Sequence, residues 1–158
     1  MPAADQQNNT GYIDDDTIDN NTLLYRRIMN QAEPPVRQII WDDNKECWRP
    51  SSVSFSDHPN GSPMSVALGD TLENHGLKPE SVLDGHDGFS LASFPAGIAR
   101  KKRQGVMRKP IKGDPAHGEV FGKKTKGVKR FLAENSEWCI EPNLSNPNKK
   151  IFIWARKV

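Results

Sequence analysis

The sequence predicts an α+β fold: a small, mostly antiparallel sheet of short strands with two or three short helices packed on it. Three observations carry this expectation. Short β-branched and aromatic segments recur along the chain, bounded by Pro, Gly and Asn turns. The clearest helical period is that of Lys124–Asn135, where Val128, Phe131 and Leu132 each fall within about 60° of one direction on the helical wheel. The spacing of the strand-like segments is short and irregular, which argues against a doubly wound parallel sheet with its long crossovers.

Composition bounds the organisation. The chain has 158 residues, of which 35% are hydrophobic, and its mean hydropathy is −0.73. So polar a chain predicts one domain with unpacked ends, because polar segments bury too little apolar surface to offset ordering entropy. The expected division is a disordered acidic tail over residues 1–21, a single globular domain over 22–142, and a linker with a C-terminal strand and basic end over 143–158. No run approaches the ~18–20 apolar residues of a membrane span, and MPAADQQNNTGYIDDD lacks the charge and apolar core of a signal peptide. Two cysteines, Cys47 and Cys139, form no CxxC pair or disulfide framework. The expected setting is therefore cytoplasmic.

In chain order, Thr22–Ile28 reads as a first strand and Val36–Trp41, after Pro34-Pro35, as a second. Asp42–Lys45 is a turn signal that lets Cys47–Arg49 pair back as a hairpin. Val53 and Phe55 alternate with serines over Ser51–Ser56, which predicts a half-exposed strand. Met64–Leu68 is compatible with strand or helix. Asp70 and Glu73 match a capping box, and Gly76 a helix end. Pro79–Leu83 reads as a short helical turn. Phe89, Leu91 and Ser93 alternate with Ser90, Ala92 and Phe94 on a strand, and Pro95 opens a short helix, Ala96–Gln104, that Gly105 ends. Val106–Arg108 and Glu119–Phe121 are short strands around the loop Pro110–Pro115, and Ile151–Trp154 is a final strand.

Charge is unevenly distributed. Residues 1–94 carry 6 Lys and Arg against 15 Asp and Glu, whereas residues 95–135 carry 12 against 3. Arg100, Lys101, Lys102 and Arg103 form one cluster; Lys123, Lys126, Lys129 and Arg130 form a ridge on the helical wheel opposite the apolar stripe. Such a surface attracts phosphates, and long basic side chains on a helix face suit a backbone better than base edges. This predicts a protein that binds a polyanion, nucleic acid above all. No zinc-finger, RNP or KH motif specifies a module. Two alternatives are that an acidic protein partner takes the ridge, and that the acidic half of the chain covers it.

The residues suited to catalysis are His117 and Glu119, which share one side of an extended segment and can serve as an acid/base pair in a small nucleotide-handling enzyme. The His-x-Glu spacing resembles that of zinc deaminases, but no Pro-Cys-x-x-Cys follows, and no metal or cofactor set is expected. Gly118–Thr125 has the wrong glycine spacing for a Walker loop, although an anion could still meet free amides where the helix begins. An early Arg26 or Arg27, the serines Ser51, Ser52 and Ser54, and a later Glu119 together form an order that resembles the Arg–Ser–Glu order of ADP-ribosyltransferase toxins. That resemblance implies Arg on cofactor phosphate, Ser shaping the nicotinamide pocket and Glu on the ribose. This chain departs from the pattern in lacking a paired Glu-x-Glu.

Overall fold

The computed structural model describes residues 11–147. Its strands are β1 (Leu23–Met29), β2 (Ile39–Asp42), β3 (Cys47–Pro50), β4 (Met64–Leu68), β5 (Phe89–Pro95), β6 (Gly105–Arg108), β7 (His117–Phe121) and β8 (Glu137–Ile140). The helices are α1 (Gly69–Asn74), α2 (Ala96–Arg100) and α3 (Lys126–Glu134), with 3-10 turns at Ser52–Phe55 and Pro79–Leu83. Six strands form one sheet in the order β6-β7-β4-β1-β5-β8, and β2 and β3 form a separate hairpin. Every described pairing is antiparallel, so the α+β expectation holds. No described helix is long and apolar enough to cross a membrane. The strand expected at Ile151–Trp154 lies outside the described residues.

Strand alternation builds a core on each face of the sheet. Leu24, Ile28, Val66, Leu68, Ala92, Phe94, Val106 and Val120 point to one face, where Phe55, Ala96, Ala99, Val128 and Leu132 complete the main core. The opposite face holds the smaller cluster of Tyr25, Ala67, Leu91, Leu72 and Ala116. Gly105 stands opposite Phe121 across β6 and β7, and a Cβ there would lie 2.1 Å from the Phe121 ring. The absent side chain makes room for that ring, which also stacks on Tyr12 at 5.6 Å.

Several local expectations are corrected. Ser51–Ser56 is not a strand. Ser51 caps a 3-10 turn by accepting from the Val53 amide at 3.2 Å, a local competitor that serines offer to extended pairing. Asp70 does not cap α1: the helix begins at Gly69, and the Asp70 carboxylate instead bonds Arg108 at 2.7 Å. α2 ends at Arg100 rather than Gln104, and the chain turns through Arg103 in the left-handed region at φ 60°.

The ordered body also starts earlier than Thr22. Ile18 is fully buried. The Asp15 amide donates to Val106 O at 2.8 Å, and the Val106 amide donates to Asp14 Oδ1 at 2.8 Å. The segment from Asp14 to Asn20 therefore packs on β6 and α2 as part of the domain.

Candidate functional site

The site grows from a break in the central ladder. β1 and β4 pair only at Leu24↔Leu68 and Tyr25↔Ala67. Beyond that point Arg26 inserts its side chain, donating from Nη1 to Ser65 O at 2.9 Å, from Nε to Ser54 O at 3.1 Å and from Nη2 to Ser56 O at 3.4 Å. Burial pulls its pKa down to about 10, with the like charge of Arg27 adding to the effect and Asp57 opposing it. Each guanidinium nitrogen is engaged by a backbone carbonyl, so Arg26 clamps the turn to β4.

Arg27 points to the other face. Its Nη1 donates to Val82 O at 3.1 Å, and its Nε and Nη2 have no hydrogen-bond partner among the described residues. With Tyr25, Ser65, Val82, Asp114 and His117 it lines a cleft of about 30 Å³, room for about one water. Burial raises the Tyr25 phenol above its usual range, helped by its proximity to the Cys139 thiol, when ionised, and to Glu80.

His117 and Glu119 share a face, as their spacing predicts. They do not bond each other. His117 Nδ1 lies 2.8 Å from Lys109 O and Nε2 lies 3.3 Å from Ser65 Oγ. A carbonyl only accepts, so Nδ1 carries a proton, and in the neutral ring Nε2 would accept from the Ser65 hydroxyl. Glu119 stands opposite Ser65 on β4 and Met107 on β6. It is 7% exposed, and its Oε1 is buried with no hydrogen-bond partner. Buried polar atoms in native folds nearly always have partners, and the exceptions call for an explanation.

No family model, curated protein or solved structure matches this chain.

The structure does not place the serines of the Arg–Ser–Glu order opposite Glu119. Ser51 caps the Ser52–Phe55 turn, and the Ser54 hydroxyl donates to Gln38 O; both are buried and structural. The serine that faces Glu119 is Ser65, and the arginine on the same face is Arg27 rather than Arg26. Sequence alternation over Met64–Leu68 marks Ser65 as a residue turned away from the apolar set, yet only the β4–β7 register reveals its neighbours.

The basic residues separate into two groups. Arg100 bonds Asp14, Ile18 O, Asn20 and Asp15 O at 2.7–3.2 Å. Arg108 pairs with Asp70 at 2.7 Å and Asp15 at 3.4 Å, and Lys124, 3% exposed, pairs with Asp57 at 2.9 Å. These three are structural. Lys101, Arg103, Lys126, Lys129 and Arg130 make no ion pair with a described residue. Lys102 Nζ sits 4.6 Å from the centre of the Phe131 ring, and Gln104 Nε2 donates to Lys123 O at 3.1 Å. Those contacts bring the turn after α2 against α3. The start of α3 is capped by Thr125, whose hydroxyl accepts from the Val128 amide at 3.2 Å. Among the described residues no group of three or more His, Cys, Asp and Glu could hold a metal.

Proposed function

We propose that this chain is a small nucleotide-handling enzyme of an ADP-ribosyltransferase-like kind, acting in the cleft between β1, β4 and β7. The observation that carries the reading is the buried Glu119 Oε1, unpartnered beside Ser65 on a face shared with Arg27 and His117. The roles follow from the chemistry of each group. Arg27 has spare donors for a phosphate. Ser65 lines the pocket with its hydroxyl directed to His117. Glu119 accepts from a ribose hydroxyl, which would satisfy its orphaned oxygen. His117, oriented by its Nδ1 contact with Lys109 O, is the acid/base candidate. Entry of a dinucleotide requires Arg27 to release Val82 O and the Pro79–Leu83 turn to yield. The test is release of nicotinamide from a nicotinamide dinucleotide, with Glu119→Gln expected to lose turnover while keeping its melting curve. Full turnover in that variant removes Glu119 from the mechanism, and absence of both binding and turnover across a nucleotide panel overturns the reading.

A second reading rests on a different surface. Lys101, Lys102, Arg103, Lys123, Lys126, Lys129 and Arg130 form a basic patch that binds a polyanion, nucleic acid above all; Arg100 drops out because the N-terminal segment engages it. The contact of Lys102 with the Phe131 ring supports this reading by joining the turn to α3. Charge reversal of Lys126, Lys129 and Arg130 should abolish binding and its salt dependence without unfolding the domain. Unchanged binding refutes the assignment, and recovery of a single acidic protein after nuclease treatment replaces nucleic acid with a protein partner. The two free thiols, Cys47 and Cys139, accord with a reducing, cytoplasmic setting.

A further inference from the structure

Beside the basic patch lies a groove of about 860 Å³ between the β2–β3 hairpin, α3 and β8, lined by Trp48, Trp138, Lys45, Arg49 and Arg130. We infer that it receives one or two unstacked bases of a single-stranded nucleic acid. The inference rests on the polyanion reading above.

Both indoles are fixed in place. Trp138 Nε1 donates to Trp48 O at 2.9 Å, and Trp48 Nε1 donates to Leu144 O at 3.1 Å. Trp48 also meets Trp41 edge-to-face at 5.3 Å. Each indole N–H is thereby engaged with backbone, and both side chains remain half-buried along the groove. Held aromatic surfaces of this kind stack bases with little regard to sequence, since every base has a π-face. Arg130 belongs to both the groove and α3, so a backbone gripped by the patch runs directly to the indoles.

Net charge does not account for the groove's affinity. Asp42, Glu134 and Glu137 line it with Lys45, Arg49 and Arg130, three acids against three bases. Its contribution must therefore come from stacking, and it differs from the patch in a measurable way: the patch sets the salt slope and the indoles set the preference for unpaired strands. Duplex bases, already stacked in pairs, cannot enter.

The experiment titrates the full chain with a short oligothymidylate and with a hairpin duplex of equal phosphate number, following tryptophan fluorescence and affinity across a salt series. The expected result is quenching by the single strand, about tenfold tighter single-strand binding, and loss of that preference in Trp48→Leu with the salt slope unchanged. Arg49→Glu on the exposed rim provides a second variant should Trp48→Leu fail to melt cooperatively, and it should weaken single-strand binding selectively. Equal binding of both probes without quenching overturns the groove assignment while leaving the patch standing. No binding of either probe overturns both.

Discussion

Arg26 and Arg27 are adjacent in sequence and opposite in consequence, and substituting each with Met separates clamp from site. Arg26 makes two good hydrogen bonds to carbonyls, at 2.9 and 3.1 Å, and one long one at 3.4 Å. Charge-assisted bonds contribute about 1.5–3 kcal/mol each, so the two good ones amount to about 3–6 kcal/mol. Against this stands the penalty for burying the guanidinium, visible in its lowered pKa. The balance for Arg26→Met is a loss of about 2–4 kcal/mol, or a Tm lower by roughly 6–12 °C for a domain of this size. Arg27→Met removes one hydrogen bond, to Val82 O, and should cost about 1 kcal/mol or less. Its effect should fall on nucleotide binding instead. Urea unfolding and nucleotide titration of both variants check the pair. An Arg26→Met protein as stable as the parent, or an Arg27→Met protein equally unstable, refutes the division of labour.

Two further outcomes follow from the ion pairs and the orphaned carboxylate. The Arg108 hydrogen bond holds the Asp70 carboxyl below its ordinary value, outweighing the opposing effect of burial. A depressed folded pKa gives stability that is present above the unfolded pKa of 3.8 and is lost as pH falls through the folded value. Arg108→Met should thus cost about 1 kcal/mol near neutrality, with the gap to the parent closing in melts below about pH 4. Glu119→Leu should leave stability unchanged or raise it by about 1–2 kcal/mol, since it removes a buried acceptor that has no partner; a melt showing strong destabilisation would reveal a structural role for Glu119.

Most strands and the main helix were legible because their signals are local, whereas β8 at Glu137–Ile140 was not read and Met64–Leu68 stayed open between strand and helix. Apolar alternation located β5, the short segment Glu119–Phe121 after the Pro110–Pro115 loop located most of β7, and the Val128, Phe131 and Leu132 stripe located α3. Val128 and Leu132 are buried in the structure as that stripe requires. Ser51–Ser56 failed because its alternation of apolar and serine residues fits two geometries, and the Ser51 cap selects the helical one. Asp70 failed because a partner 38 residues away competes for its carboxylate. Half of the site was legible: two residues apart on a strand, His117 and Glu119 must share a side. Ser65 was not, because its partners are His117, 52 residues distant, and Glu119 across the ladder. A site assembled by strand register leaves its trace in the pairing, not in any window of sequence.

The same physics decides the role of the acidic N-terminal segment. Its charge invites the view that it masks a basic surface and that its removal exposes one. Within residues 11–21, however, Asp14 pairs with Arg100 and Asp15 with Arg108, and neither arginine belongs to the proposed polyanion-binding set. Ile18 is fully buried, a contribution of about 1.5–3 kcal/mol. The two partly exposed ion pairs add about 1 kcal/mol together, and the backbone bonds to Val106 would be lost as well. Deleting residues 1–21 therefore removes roughly 3–6 kcal/mol, a sum built from apolar burial, ion pairs and net hydrogen-bond contributions, and a large share of the stability of any domain this size. The truncated chain should lose its cooperative melt rather than bind polyanions more tightly. A stable 22–158 chain with stronger polyanion binding would show the opposite: that the segment is a removable mask, and that its contacts with Arg100 and Val106 contribute little to the fold.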